Sequence, residues 1–305
     1  MKYLKLIRWQ NLIMIVITQL LIKYAFLDPF GVATSLDVTG ITVLIVSTLC
    51  IAAAGNIIND ICDVETDTIN KPNKVLIGKS ISEKTAYNLF IILNVTGVGL
   101  GYYLAASVNR NAFLGIFVII SALLYIYATY LKQLALIGNL VISSLVSCSI
   151  LIVGVFELIP VITPENQNIQ LVIFKIIFKY VGFAFVINLL REIVKDIEDE
   201  QGDREAKMKT LPIVLGRKTT KNIVIILSLA FTVTLFFYVF QNLYKSVIAN
   251  IYFIALIIGP LIYNTLKLFN AESNTDYHQV SSSFKIIMLF GMLSLLLYKY
   301  ILLAK

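Results

Sequence analysis

Six aspartates in this chain are spaced as if to work together. Asp60, Asp63 and Asp67 form one Asp-x-x-Asp-x-x-x-Asp string and Asp196, Asp199 and Asp203 a second, and each aspartate lies 136 residues from its counterpart (60 to 196, 63 to 199, 67 to 203). On a helix turning about 100° per residue, steps of three and four return to one face, so each trio occupies an arc of about 60°. Asn56 falls inside the first arc, and Asn59 widens it to about 100°. Glu192 and Asn188 fall on the side of the second trio. Carboxylates stacked this closely repel one another, and such a stripe is tolerated where cations occupy it or water screens it. They are hard oxygen ligands. Cys50, Cys62 and Cys148 are scattered and His278 stands alone, so Zn²⁺ and softer metals do not suit the set and Mg²⁺ does. Mg²⁺ keeps several waters and completes its shell with one or two carboxylates plus phosphate oxygens, so two facing aspartate stripes predict a diphosphate clamped between metal ions. The plain alternative is a solvated helix end whose acids pair with Lys71, Lys74, Arg191 and Lys195, which explains one stripe more easily than two matched ones.

The elements that must position these aspartates are membrane helices. Of 305 residues, 58% are apolar and 14% charged, against roughly 45–50% and 25% in soluble proteins. A soluble domain is excluded, because a body of this size has too little interior to hide that much apolar surface. Disorder and a disulfide scaffold are excluded on the same composition. Stretches of about 20 apolar residues can cross the hydrocarbon core as helices, and nine qualify: 9–27, 40–59, 86–107, 112–131, 135–156, 170–190, 222–241, 247–267 and 284–303. The expected fold is all-α and polytopic, a single transmembrane domain over 1–305. The basic, apolar N-terminus reads as a retained first helix rather than a cleaved signal. The two aspartate strings close helices 2 and 6 and open the two long polar connections, about 60–85 and 191–221, an arrangement consistent with two related halves.

Alternate faces of a nine-span chain do not share the basic residues equally. The N-terminus and the 2–3, 4–5, 6–7 and 8–9 connections take 18 of the 25 Lys and Arg. This asymmetry predicts an inside N-terminus, with both polar connections cytoplasmic, and accounts for the net charge of +7 without a nucleic-acid partner.

The string Asn59-Asp60-x-x-Asp63-x-x-x-Asp67 followed by Asn70-Lys71-Pro72-Asn73, with Asp199-x-x-x-Asp203 and Lys209-Thr210-Leu211-Pro212 later, resembles the UbiA superfamily of intramembrane prenyltransferases. Arg8-x-x-Asn11 entering helix 1 extends the likeness to nearly the whole chain. The resemblance implies a helical bundle around a central cavity, capped on its cytoplasmic side, where Mg²⁺ ions on the two motifs hold a prenyl diphosphate. The run Arg191-Glu192-x-x-Lys195-Asp196 through Gly202-Asp203 is similar to the geranylgeranylglycerol-phosphate geranylgeranyltransferase branch. Two departures stand out. Lys74-Val75 replaces the Arg-Pro of many relatives, which loses a bidentate fork on phosphate. A Tyr-x-x-x-Lys pattern falls on Ala128 to Lys132, with Tyr127 and Tyr130 beside the expected place.

An allylic diphosphate ionises when its departing charge is stabilised and water is kept from the carbocation. Metal ions with Arg8, Lys74, Lys132, Arg191 and Lys195 would serve the first need and an apolar cavity the second, with Asn11, Asn56, Asn59 and Asn188 as polar contacts. Tyr125, Tyr127 and Tyr130 could face the cation, although tyrosines at this depth also serve as interfacial anchors. The expected reaction is Mg²⁺-dependent prenyl transfer to a prenylglyceryl phosphate hydroxyl in the cell (inner) membrane, with the site mouth cytoplasmic and membrane lipids as surroundings. Prenylation of an aromatic ring is the second reading. A cation transporter is the third, disfavoured because its charges should approach the bilayer midplane; a scaffold would need no matched acidic motifs.

Overall fold

The computed structural model describes residues 1–243 and 245–298. Among them, nine helices are long and apolar enough to cross a membrane: α1 (Trp9–Phe30), α2 (Val38–Cys62), α3 (Glu83–Ser107), α4 (Asn111–Thr129), α5 (Ile137–Val161), α6 (Gln167–Glu205), α7 (Arg217–Asn242), α8 (Val247–Phe269) and α9 (Asn274–Leu297). The all-α, nine-span expectation holds, and no described residue belongs to a sheet beyond two isolated bridges. The last residues of the expected ninth span, 299–303, lie outside the described residues.

Local chemistry sets the ends. Asp37 caps α2 by accepting from the Gly40 N–H at 2.7 Å, and Ser82 caps α3 through the Thr85 N–H. At α9, Ser273 and Asp276 satisfy each other's backbone donors in a capping box. That box moves the start of the helix to Asn274, ten residues before the expected 284, so Lys285 sits within α9 and not in a connection. Within α8, Pro260 has no N–H for the Leu256 carbonyl, and the turn before it, Ile254–Ile258, widens to π-type hydrogen bonding.

The chain forms two compact units, residues 1–132 with 148–178, and 133–147 with 179–305. In the first, α3 approaches α2 and α4 through Gly97 and Gly101. A Cβ at Gly97 would lie 2.6 Å from Ile51, and one at Gly101 2.4 Å from Phe117. Small residues at this spacing let helices touch where lipid supplies no hydrophobic drive, and Ser47 Oγ donates to the Gly97 carbonyl across the seam at 2.7 Å. In the second unit, Gly291 of α9 admits the Phe183 ring of α6; a Cβ there would lie 2.0 Å from it. Ser228 and Thr265 share a hydrogen bond of 2.6 Å between α7 and α8, and Tyr180 and Ser294 one of 2.7 Å between α6 and α9.

The segments around the motifs are more helical than the sequence reading expects. Helix α6 runs 39 residues without interruption, about 58 Å at 1.5 Å per residue. That is roughly twice a bilayer's hydrocarbon thickness, so its C-terminal turns extend the rod well past the apolar part. Of the expected connection 191–221, residues to Glu205 are helix, and a short helix, Leu211–Leu215, follows. In the 60–85 stretch, a second short helix spans Val64–Asn70 before the turns of 71–82.

Candidate functional site

In the first unit the motif is assembled from four separated segments. A small core of Leu6, Ile57, Ile77, Ile81 and Ala86 packs the N-terminal residues and the 71–82 turns against α2. Lys2 reinforces it by donating to the Ser80 carbonyl at 2.9 Å, and Asn56 by donating to the Ile7 carbonyl at 2.9 Å. Arg8 then turns the chain into α1 with left-handed backbone angles, φ 52° and ψ 54°. Its guanidinium reaches Asp60 at 2.7 Å. Helix α2 stops at Cys62, and Asp63, at φ −96° and ψ 5°, joins it to Val64–Asn70. The single straight stripe expected for Asp60, Asp63 and Asp67 is therefore bent at its middle member.

The bend places the Asp63 carboxylate between two donors. Asn59 Nδ2 donates to one oxygen at 2.5 Å, and Lys132 Nζ, from the end of the 111–133 segment, pairs with the other. Lys132 is 9% exposed and Asp63 19%. Arg8, Asn56, Asn59, Asp60, Asp63 and Lys132 are thus brought together. Asp67 follows one turn on, half-buried, and Asn11 lies in the first turn of α1. Lys74 and Tyr130 are not drawn in: Lys74 is exposed and Tyr130 is 59% exposed. Tyr125 stacks on Phe90 at 6.1 Å and is also exposed, as an interfacial anchor would be.

In the second unit the 3,4 spacing survives intact, because α6 carries Asn188, Glu192, Asp196, Asp199 and Asp203 on one unbroken helix. Asn139 of α5, buried, donates to Asp196 Oδ2 at 2.8 Å. Asn188 donates to Ser143 Oγ at 3.3 Å. Glu192 is held by Arg191 and by Lys195 at 2.9 Å, so these two cations serve a carboxylate outside the aspartate trio. His278 of α9 meets Glu198, next to Asp199, at 3.0 Å. Sequence reasoning missed Asn139 and His278. Asn139 carried a signal, since a lone amide at the head of an apolar span needs a partner; His278 carried none, standing 80 residues from Glu198.

No three Asp, Glu, His or Cys side chains converge on one point among the described residues. Mg²⁺ asks a protein for only one or two carboxylates, with water and phosphate completing its shell. The donor set is all oxygen, with Arg8 paired to Asp60 and Lys132 to Asp63.

The UbiA prenyltransferase family matches residues 20–300. The digeranylgeranylglyceryl phosphate synthase of Methanosphaera stadtmanae is 31% identical over 258 residues, 82% of this chain and 86% of that one. A solved structure described as digeranylgeranylglyceryl phosphate synthase in membranes is similar with a TM-score of 0.61 at 26% identity, covering 97% and 98% of the two chains. The fold is shared with a UbiA homologue from Archaeoglobus fulgidus bound to DMAPP and Mg²⁺, at a TM-score of 0.55 and 18% identity, covering 97% and 99%.

Proposed function

The chain belongs to the UbiA prenyltransferase family, and we propose that within it the protein transfers a geranylgeranyl-like group from its diphosphate to the hydroxyl of a prenylglyceryl phosphate. The relatives whose names specify this reaction, M. stadtmanae among them, support the acceptor. The observation that carries the chemistry is the pairing of Arg8 with Asp60 and Lys132 with Asp63, made across 52 and 69 residues of sequence. Asp60 and Asp63 would be free to hold metal ions once Arg8 and Lys132 turn from them to phosphate oxygens.

Asp60, Asp63, Asp67, Asp196, Asp199 and Asp203, with Asn59, would hold Mg²⁺, which when bound neutralises charge building on the diphosphate. Arg8, Lys132, Arg191 and Lys195 supply further positive charge for the leaving group and for the acceptor's phosphate; Asn11, Asn56 and Asn188 complete the polar contacts, and the exposed Lys74 and Tyr130 take no part. The allylic C–O bond to diphosphate breaks, a new C–O bond forms to the acceptor hydroxyl, and the hydroxyl proton passes to a carboxylate or to the departing diphosphate. Attack on a carbocation asks less of the nucleophile than direct displacement, so no strong base is required.

The distribution of Lys and Arg supports an inside N-terminus in the cell membrane, with both motifs at the cytoplasmic face. Purified protein with Mg²⁺, offered geranylgeranyl diphosphate and equal amounts of geranylgeranylglyceryl phosphate and dihydroxynaphthoate, should form the ether lipid. Exclusive prenylation of the naphthoate would overturn the acceptor and leave the prenyl-transfer chemistry standing.

A further inference from the structure

A cleft of about 480 Å³ opens in the second unit where α7 begins and the turn between α8 and α9 passes over it. Its charged wall is Arg217, Lys218 and Lys221; its apolar wall is Ile225 with Phe269, the last residue of α8, 67% exposed. None of the three cations pairs with a carboxylate among the described residues, although Glu272 also lines the cleft. This separates them from Arg8, Lys132 and Lys195, each of which holds an acid.

What fixes two of the cations is neutral. Arg217 lies over the Tyr277 ring, 4.7 Å from its centroid, and donates through Nη2 to Asn274 Oδ1 at 2.9 Å and the Glu272 carbonyl at 3.3 Å. Lys221 donates to the Phe269 and Ala271 carbonyls at 3.1 and 3.2 Å. Lys218 is exposed and makes no hydrogen bond or ion pair among the described residues. Arg217 and Lys221 are thus oriented by neutral groups, with no carboxylate paired to them among the described residues. The first turn of α7 has no acidic residue, so the helix dipole adds to the positive field there.

We propose that this cleft binds the anionic phosphate headgroup of a bulk membrane lipid. A free anion would need the cations alone. The cleft joins them to an exposed phenylalanine and an isoleucine at the ends of membrane spans, a height where headgroup and acyl chain meet. The phosphate would sit against Lys218 and Arg217, with the first acyl carbons along Phe269 and Ile225. None of these residues belongs to the aspartate motifs or their partners.

The test uses the full chain reconstituted in vesicles of phosphatidylglycerol and phosphatidylcholine in equal amounts, extracted gently and weighed by native mass spectrometry. The parent should retain phosphatidylglycerol in preference to phosphatidylcholine. Each juxtamembrane charge changes anionic-lipid binding about fivefold, so Lys218→Glu should cut retention roughly 25-fold. This variant touches no structural contact, and an unchanged unfolding midpoint and prenyl-transfer rate in detergent will confirm that it folds. Arg217→Gln should weaken retention about fivefold. Equal retention of the two lipids, or parent-like retention by Lys218→Glu, would overturn the proposal. So would displacement of the lipid by millimolar inorganic phosphate, which would mark a site for free anions, or by geranylgeranylglyceryl phosphate at far lower concentration than phosphatidylglycerol, which would mark an acceptor site.

Discussion

Replacing Lys132 with Met removes one positive charge from the Asp63 carboxylate while keeping most of the side-chain volume. Lys132 and Asp63 are mostly buried, at 9% and 19% exposure, so the bond is poorly screened. A hydrogen bond to a charged group is worth about 1.5–3 kcal/mol. Asn59 still holds the other Asp63 oxygen at 2.5 Å, which keeps the cost below the ~3–5 kcal/mol of stranding a fully buried charge. The metal-free variant should therefore lose about 1.5–3 kcal/mol of stability. If Asp63 holds Mg²⁺ as proposed, the variant would no longer have a cation to displace there. Its half-saturating Mg²⁺ concentration should fall several-fold, and added Mg²⁺ should raise its unfolding midpoint more than the parent's. Turnover moves the other way: the same 1.5–3 kcal/mol, lost from stabilisation of the departing diphosphate, lowers kcat by roughly 10- to 150-fold. Unfolding followed by intrinsic fluorescence with and without EDTA, alongside a Mg²⁺ titration of turnover, separates the two effects. A half-saturating Mg²⁺ concentration that rises or stays constant in Lys132→Met would refute the exchange of cations at Asp63.

Glu157, fully buried near the end of α5, pairs with Lys23 at 3.1 Å and accepts from the Leu36 N–H. Glu157→Ala leaves the lysine with Asp28 at 3.7 Å, the Thr34 hydroxyl and the Leu36 carbonyl and should cost about 1.5–3 kcal/mol in denaturation of the detergent-solubilised protein, with Lys23→Met recovering part of it. Gly291→Leu drives a side chain into the Phe183 ring and should abolish the folded yield on size-exclusion chromatography; Phe183→Ala in the same chain should restore some of it. In a cysteine-free background, a cysteine at position 79 should react with a membrane-impermeant maleimide only after cells are opened, and ready labelling of intact cells would reverse the orientation.

The spans were legible because apolar length is a direct consequence of bilayer thickness, and their positions agree to within a few residues wherever an apolar boundary is also a helix boundary. The two exceptions are polar helices. Hydropathy cannot see α6 continuing to Glu205, yet Glu192 with Lys195 and Glu200 with Arg204 are spaced to pair along it and support helix in water. The early start of α9 was readable in principle from Ser273-x-x-Asp276, a capping signature at the edge of a stretch taken for a loop. At the site, residue types and periodicity sufficed for the aspartates and for Asn56 and Asn59. The likeness to a family supplied Arg8 and Lys132, because pairings over 52 and 69 residues leave no periodic trace. The bend at Asp63 was invisible, since a 3,4 spacing fits a straight helix and a kinked one equally well.

Prenyl transfer driven by aspartate-held Mg²⁺ is tested most directly by pyrophosphate release from the purified protein given geranylgeranyl diphosphate and geranylgeranylglyceryl phosphate. One pyrophosphate should appear for each ether formed, with release lost in EDTA and restored by Mg²⁺. Asp63→Ala and Asp199→Ala should each abolish release while migrating as folded, membrane-inserted protein. Turnover that survives EDTA, or activity within a few-fold of the parent in either variant, would contradict the account.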